Sequence, residues 1–481
     1  MSLSAAAGPP SASVAPLCVD LDGTLVKSDT LWDSLCKLAR QDPMGIWRVL
    51  PWAATGRARL KSEVARRAPL SPSHLPYNSA LLHFLQAERA RGRRIYLTTG
   101  ADQTLAEQIA AHLGLFDGVL ATDGETNLTA NKKLERLRQE FAVFDYVGNS
   151  RADLALLTHA QSAMVANPTI SLRLALRLRG TPIAQVFRDQ RPIWRVALKA
   201  LRVHQWAKNS LLVAPLLMAH KVTAGGILAL AEAFACFSFM ASANYLVNDM
   251  LDLESDRLHP TKRLRPFAAG DLPVAGGVAL AVLLVLATVA LLPGLPADFA
   301  GWLGLYVCLT MGYSLYLKRV AVVDVLLLSG LYTLRLLAGG AATATPISPW
   351  LGGLSTFLFL SLAMVKRFSE LENLRERGAT EAHGRGYLIG DIEQIRSFGT
   401  ASAYAAVLVF MLYIARPSVT DLYRHPTRLW LIVPLMLYWL QRVWLVAARG
   451  ELDEDPVVFA LQDPVSLLIG AGVVALAVFA A

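Results

Sequence analysis

Two stretches of this chain hold carboxylates close enough in sequence to share a cation or a phosphoryl group. The first is Asp20-Leu21-Asp22-Gly23-Thr24, which follows the apolar residues 16–19. A carboxylate at a strand end is placed to attack phosphorus, and its neighbour two residues on can act as acid and base at the same edge. Thr98 and Thr99 follow a second apolar run and can donate hydroxyls to phosphoryl oxygens. Lys132 can balance the charge of a pentavalent phosphorus, and Asp153 can complete a Mg2+ site with Asp20. The second stretch is Asn248-Asp249-Met250-Leu251-Asp252-Leu253-Glu254-Ser255-Asp256. On a helix Asp252 and Asp256 are one turn apart, Asn248 lies one turn before Asp252, and Asp249 lies two turns before Asp256. These groups are therefore expected to converge on one side.

Carboxylates gathered at an apolar helix end repel one another unless a cation joins them, and hard oxygen donors suit Mg2+ held together with substrate phosphates. A solvated helix end would account for one or two acids. It explains poorly the Asn248 inside the apolar run and the basic cluster Lys262, Arg263 and Arg265 just beyond it. Lysine supplies a point charge and arginine a planar fork for phosphate oxygens. Carboxylates with a metal and a basic clamp form a common answer to a diphosphate substrate. Further candidates for binding substrate are Lys208 and Asn209, Lys318, Asp324 and Arg335, and Lys366 and Arg367. Ionisable groups inside membrane segments are costly and usually functional. Asp324 and Arg335 are about three turns apart on one face and can line one cavity. Lys318, Lys366 and Arg367 also read as boundary residues that snorkel to the interface.

The elements that must position these groups differ between the two halves. In the first, apolar runs at 16–19, 94–97, 118–120, 146–147 and 163–165 alternate with helical sequence. That alternation means a mostly parallel α/β sheet, Rossmann-like, with its active edge at the strand C-termini and a helical cap at about 29–90. Residues 193–203 place Trp194, Ala197, Leu198 and Leu201 on one helical face and Arg195, Lys199 and Arg202 on another, as an interfacial helix would. The expected domains are 1–188, a connector at 189–205, and an all-α membrane bundle at 206–481. Nine spans are expected, at about 207–223, 225–248, 273–293, 299–317, 322–341, 350–368, 399–415, 428–447 and 464–480.

The chain is 54% hydrophobic with a formal net charge of +9. Its cations concentrate beside membrane runs (Arg257, Lys262, Arg263 and Arg265; Lys318 and Arg319; Lys366, Arg367, Arg375, Arg377, Arg385 and Arg396). The positive-inside rule accounts for that distribution more simply than nucleic acid does. With no basic n-region or apolar core at 1–15, the first domain is expected to stay in the cytoplasm, and nine crossings leave the C-terminus outside. Cys18, Cys36, Cys236 and Cys308 lack metal-ligand spacing, so neither disulfide nor zinc site is expected. The sequence leaves homo-oligomerisation open.

His204-Gln205-Trp206-Ala207-Lys208-Asn209, the stretch 248–270 and Tyr313-Ser314-Leu315-Tyr316-Leu317-Lys318 resemble the UbiA-type intramembrane prenyltransferase superfamily. Asp256-Arg257-Leu258-His259-Pro260-Thr261-Lys262-Arg263-Leu264-Arg265-Pro266 and Asp455-Pro456-Val457-Val458-Phe459-Ala460-Leu461-Gln462-Asp463 are similar to its decaprenyl-phosphate phosphoribosyltransferase branch. The resemblance implies Mg2+, 5-phosphoribosyl 1-diphosphate as donor and a polyprenyl phosphate as acceptor in a bacterial inner membrane, with Tyr313 among the substrate-binding residues. A UbiA-type enzyme moving a prenyl group from its diphosphate to an aromatic acceptor, beside a regulatory first domain, is the alternative. Only Asp324 stands where such enzymes carry a second aspartate-rich motif. A transporter or scaffold would carry charges near mid-membrane rather than on one side. Asp20-x-Asp22-Gly23-Thr24, Thr98-Thr99-Gly100, Lys132 and Gly148-Asn149-Ser150-Arg151-Ala152-Asp153 resemble the haloacid dehalogenase superfamily. That resemblance implies a phosphatase with a Mg2+ set of Asp20, Asp22, Asn149 and Asp153. Asn149 stands where the motif usually has an aspartate, which weakens the charge available to a metal.

Overall fold

The computed structural model describes residues 15–122, 128, 130–218, 223–376, 386–420, 423–452 and 455–480. Residues 1–14, Arg377, Arg385 and Ala481, which enter the topological expectations, lie outside the described residues. Two compact units result: Met1–Leu201 with Leu246–Leu280, and Arg202–Tyr245 with Ala281–Ala481.

In the first unit β1 (Leu17–Val19), β2 (Ile95–Asp102), β3 (Gly118–Thr122), β4 (Asp145–Gly148), β5 (Ala163–Ala166) and β6 (Ile183–Phe187) form one parallel sheet of order β3-β2-β1-β4-β5-β6. Leu17 registers with Ile95 on one side and Asp145 on the other, which sets β1 between β2 and β4. Parallel sheets are covered on both faces, so their strands are apolar throughout. Val19 and Leu97 pack toward Leu81, Leu85 and Ile109, while Cys18 and Tyr146 pack toward Leu137, Leu156 and Leu172. The winding reverses between β3 and β4, and the C-terminal ends of β1 and β4 flank the crevice where such sheets bind ligands. The strands expected from the sequence are present. The additional β6 lies at the sheet edge with four of its five residues exposed, and Gln185 interrupts its apolar run.

Between β1 and β2 come α1 (Thr30–Gln41), capped by Asp29 at the Leu31 and Trp32 amides, and α2 (Arg57–Arg67). Further on, α3 (Ala130–Glu140) turns Lys133, Leu134 and Leu137 inward, and α4 (Ile193–Leu201) buries Val196 and Ala200 while Ile193, Trp194 and Leu198 stay exposed.

The later helices include α5 (Ala224–Leu251), α6 (Leu253–Leu258), α7 (Val274–Leu291), α8 (Ala297–Leu315), α9 (Val323–Ala342), α10 (Pro349–Glu376), α11 (Ile392–Ile414), α12 (Ile432–Ala448), α13 (Pro456–Gln462) and α14 (Pro464–Ala480). The expected nine spans are corrected to six, or at most seven, among the described residues. Among the described residues, Ala224–Leu251, Val274–Gly294, Val323–Ala342, Pro349–Glu376, Ile389–Ile414 and Pro426–Ala448 are long and apolar enough to cross a membrane. The pair α13 and α14, bent by 80°, adds a seventh only if it counts as one span.

Each shortfall has a cause. Across the described residues of the segment at 207–223, the 3-10 helix Val203–Val213 runs into it and Ala214–Met218 is α-helical. The 3-10 form is tighter and rarely sustained, and this run carries Lys208, Asn209 and Ser210. The 19 residues of α8 include Asp298, Gly301, Gly304, Thr310, Gly312 and Ser314, which dilute its apolar character. The last segment bends because Pro464 has no amide to continue a helix through Asp463, whose backbone is extended. With six crossings or seven, parity no longer fixes the side of the C-terminus.

Small residues let membrane helices approach closely. A Cβ on Gly339 of α9 would lie 2.2 Å from the Leu212 carbonyl oxygen, so glycine is what lets the 3-10 segment rest on α9. Gly339→Val is expected to destabilise the protein by about 1–3 kcal/mol through overpacking. A thermal melt in detergent checks this, and an unchanged midpoint would mean that the segment repositions without cost.

Candidate active sites

Asp20 is buried at the end of β1. Its Oδ1 accepts from Lys133 Nζ at 2.6 Å and its Oδ2 from the Thr24 hydroxyl at 3.4 Å. Asp22 Oδ1 accepts the Thr30 amide at 2.8 Å, which ties this carboxylate to the first residue of α1. Between them and Thr24, Gly23 adopts φ +73°, and a Cβ there would lie 2.0 Å from Asn149 Nδ2. Glycine thus allows both the left-handed turn and the close approach of the Asn149 side chain. Thr98 donates its hydroxyl to the Val19 carbonyl at 3.3 Å, and Thr99 Oγ1 accepts the Ala101 amide at 2.9 Å. Asp153 Oδ2 accepts the Asn149 amide at 3.2 Å and the Ser150 amide and hydroxyl at 3.0 and 3.1 Å, while Tyr146 donates its hydroxyl to Oδ1 at 3.1 Å.

Burial raises the Asp20 carboxyl to about 6, with the Asp153 charge adding to that and the Lys133 ammonium opposing it. Burial and then the Asp29 charge raise Asp22 to about 7, against the Thr30 amide. Burial works against the Lys133 ammonium, but Asp20 and Asp153 outweigh it and hold its pKa above the usual value. The structure sets the neighbouring lysine, not the expected Lys132, beside Asp20. Lys132 is exposed, and Lys133, on the inward face of α3, makes the ion pair.

Also in the first unit, the expected convergence around Asp252 is divided. The end of α5 at Leu251 and the start of α6 at Leu253 leave Asp252 outside either helix. Arg265 Nη1 lies 3.1 Å from Asp249 Oδ1 and 2.7 Å from Asp256 Oδ2. Asp252 Oδ2 accepts from Asn248 Nδ2 at 3.1 Å, and its Oδ1 is 3.4 Å from Arg40 Nη2 on α1. Burial raises the Asp256 pKa, opposed by Arg265. Lys262 and Arg263 are exposed. Among the described residues, no three His, Cys, Asp or Glu side chains converge closely enough to hold a metal ion. The donor chemistry nevertheless fits one. Asp249 and Asp256 both reach a single positive nitrogen, and carboxylate oxygens are what Mg2+ requires.

The second unit gathers most of the remaining candidates around residues the sequence reading left without a role. Asp455 Oδ2 accepts from Lys208 Nζ at 2.8 Å and Lys366 Nζ at 2.7 Å, and its Oδ1 from the Tyr332 hydroxyl at 2.9 Å. Arg335 does not pair with Asp324. It donates to Asn209 Oδ1 at 2.9 Å and lies over the Tyr306 ring at 4.9 Å, while Asn209 donates to Ser238 at 3.0 Å. Asp324 instead meets the wholly buried Arg367 at 2.7 Å and accepts the Tyr387 hydroxyl at 2.8 Å. Tyr313 and Lys318 are half-buried at the end of α8 and just after it. The signal for Asp455 was its place in the motif before the last apolar run. Nothing local in the sequence marks Tyr332 or Tyr387.

A model of the UbiA prenyltransferase family matches residues 210–468, more than half of the chain. The chain belongs to the UbiA prenyltransferase family. A haloacid dehalogenase-like hydrolase model matches residues 17–158, so this UbiA member carries a fused hydrolase-like domain ahead of a multi-pass helical bundle. It is 39% identical over 463 residues to the uncharacterized protein y4nM of Sinorhizobium fredii, covering 95% of this chain and 89% of that protein. It is 34% identical over 285 residues to the decaprenyl-phosphate phosphoribosyltransferase of Mycobacterium tuberculosis, covering 56% of this chain and 89% of that protein. A solved UbiA homolog from Archaeoglobus fulgidus, bound to GPP and Mg2+, aligns with 58% of this chain and 99% of its own, at a TM-score of 0.45 and 15% identity.

Within this UbiA bundle the two ammonium groups on Asp455 have a direct energetic consequence. Asp455→Asn leaves Lys208, whose side chain is 11% exposed, without its counter-charge. The expected loss is about 3 kcal/mol, since a buried charge is stranded. Chemical denaturation in detergent should show it for Asp455→Asn and much less for Asp455→Glu.

Proposed function

We propose that this chain transfers a 5-phosphoribosyl group from 5-phosphoribosyl 1-diphosphate to a polyprenyl phosphate, and that its first domain then removes the 5-phosphate. The observation that carries the reading is the pair Asp249 and Asp256 on one shared cation at a helix end, in a chain similar to decaprenyl-phosphate phosphoribosyltransferases. Asp249, Asp252 and Asp256, with Asn248, would hold Mg2+, whose chemistry there is to neutralise the diphosphate leaving group. Arg265 exchanges its carboxylate contacts for diphosphate oxygens, and the exposed Lys262 and Arg263 add charge for the donor. A lipid phosphate oxygen, already anionic near neutral pH, bonds to C1 of the ribose as the C1–diphosphate bond breaks. Diphosphate leaves and the anomeric centre inverts. Positioning matters here more than a general base. The basic loop at 257–265 faces the cytoplasm in this reading.

In the first domain Asp20 attacks the 5-phosphate and forms an aspartyl-phosphate. Asp22, raised to about 7, is partly protonated near neutral pH and gives its proton to the departing ribose oxygen. It then accepts a proton from the water that releases phosphate. Lys133 and the Thr98 and Thr99 hydroxyls offset the negative charge on the phosphoryl oxygens.

The test is mass spectrometry of lipid products from purified protein given 5-phosphoribosyl 1-diphosphate, polyprenyl phosphate and MgCl2. Wild type should yield the ribosylated lipid phosphate, Asp20→Asn should accumulate its 5-phosphorylated form, and Asp252→Asn should lower total product about 100-fold or more. Product only from prenyl diphosphate and an aromatic acceptor would overturn the transferase reading. A 5-phosphorylated lipid in equal proportion with wild type and Asp20→Asn would overturn the phosphatase reading. Lys133→Ala should cost phosphate release about 100-fold or more while Lys132→Ala stays near wild type, as initial rates of phosphate release will show.

A further inference from the structure

The 12-residue helix α1 touches both carboxylate sites of the first unit. At its first residue the Thr30 amide bonds Asp22, and in its last turn Arg40 reaches Asp252. The distance along the helix is roughly 15 Å. Two more pairs fix the helix against the aspartate-rich segment: Lys37 Nζ with Glu254 Oε1 at 2.6 Å, and Arg257 Nη2 with Asp33 Oδ2 at 2.8 Å. Arg257 also donates to Ser28 at 3.1 Å, and the Asp33 and Arg257 side chains are almost entirely buried. The Arg40–Asp252 pair is different. Its separation is a loose 3.4 Å, against 2.6 and 2.8 Å for the other two, and its side chains, 22% and 17% exposed, line with those of the other pairs a cavity of about 180 Å³. Arg40 therefore has room to leave Asp252 while α1 stays anchored.

We propose that Arg40 is the resting counter-ion of Asp252 and competes with the divalent cation for it, so that the hydrolase-like domain sets the cation affinity of the aspartate-rich segment. The proposal rests on the reading of Asp252 as a cation ligand. Asn248 already occupies Oδ2 and Arg40 faces Oδ1. A divalent cation on Oδ1 would sit within a few ångströms of the guanidinium's like charge, so each weakens the other's hold on that oxygen. The neighbouring Lys37 pair involves Glu254, which has no part in the proposed cation set, so docking and competition are separable.

The experiment is Mn2+ titration of the full-length protein in detergent, with free Mn2+ read by electron paramagnetic resonance. The fraction of binding lost in Asp252→Asn defines the site. Arg40→Gln should tighten that fraction about fivefold, the scale of a partly exposed ion pair. Arg40→Lys should restore the wild-type affinity, and Lys37→Gln should leave it unchanged. Unchanged or weaker binding in Arg40→Gln, or equal tightening in Lys37→Gln, overturns the competition while the cation reading of Asp252 stands. Absence of any Asp252-dependent binding overturns both.

Discussion

A carboxylate removed from water must be met by positive charge or by hydrogen-bond donors, and much of this molecule is organised around that requirement. Asp20 is met by Lys133, Asp249 and Asp256 by Arg265, Asp324 by Arg367, and Asp455 by Lys208 and Lys366. Such pairs are weak evidence of stability, because desolvation offsets much of the Coulomb gain. Their value is specificity. Breaking one strands a buried charge, so each pair fixes which segment lies beside which.

The same physics separates pairs that hold the fold from pairs that a substrate can open. Asp324 and Arg367 have no exposed side-chain surface, and Tyr387 adds a hydroxyl to the carboxylate. That constellation is a fixed joint between α9 and α10. Arg265 is a quarter exposed, and a group so placed can trade a carboxylate for a phosphate at little cost. Asp20 and Asp22 differ again. Their raised pKa values reflect burial more than neighbouring charge, which is how an environment keeps one carboxyl protonated near neutral pH.

The first domain was legible because strands buried on both faces are apolar throughout and each is followed by polar residues at the active edge. Lys132 and Lys133, of which the second pairs with Asp20, show the resolution of such reading. Two adjacent lysines on a helix differ by about 100° in direction, and only Leu134 and Leu137 mark which one turns inward. The bundle was harder. Hydropathy alone made a span of residues 207–223, yet Lys208 and Asn209 need partners that lie far along the chain. Sequence spacing set Arg335 on the same face as Asp324, but spacing cannot show that Asn209 and Tyr306 claim the arginine instead. Asn248, Asp249, Asp252 and Asp256 were identified as a group. Asp252 lies in the break that divides them and meets Arg40 of α1, a partner that spacing within the segment cannot show.

The position of Asp455, 247 residues after Lys208 and 89 after Lys366, bears on how the bundle is made. Lys208 and Lys366 are synthesised and inserted well before the carboxylate that neutralises them, and Asp455 also caps α13, the first arm of the bent terminal pair. Until it arrives, two like charges share one region with no common partner. Asp455 therefore acts as a latch: translation must pass residue 455 before Lys208 and Lys366 acquire their shared partner, and a chain stopped short of it leaves that part of the bundle unneutralised.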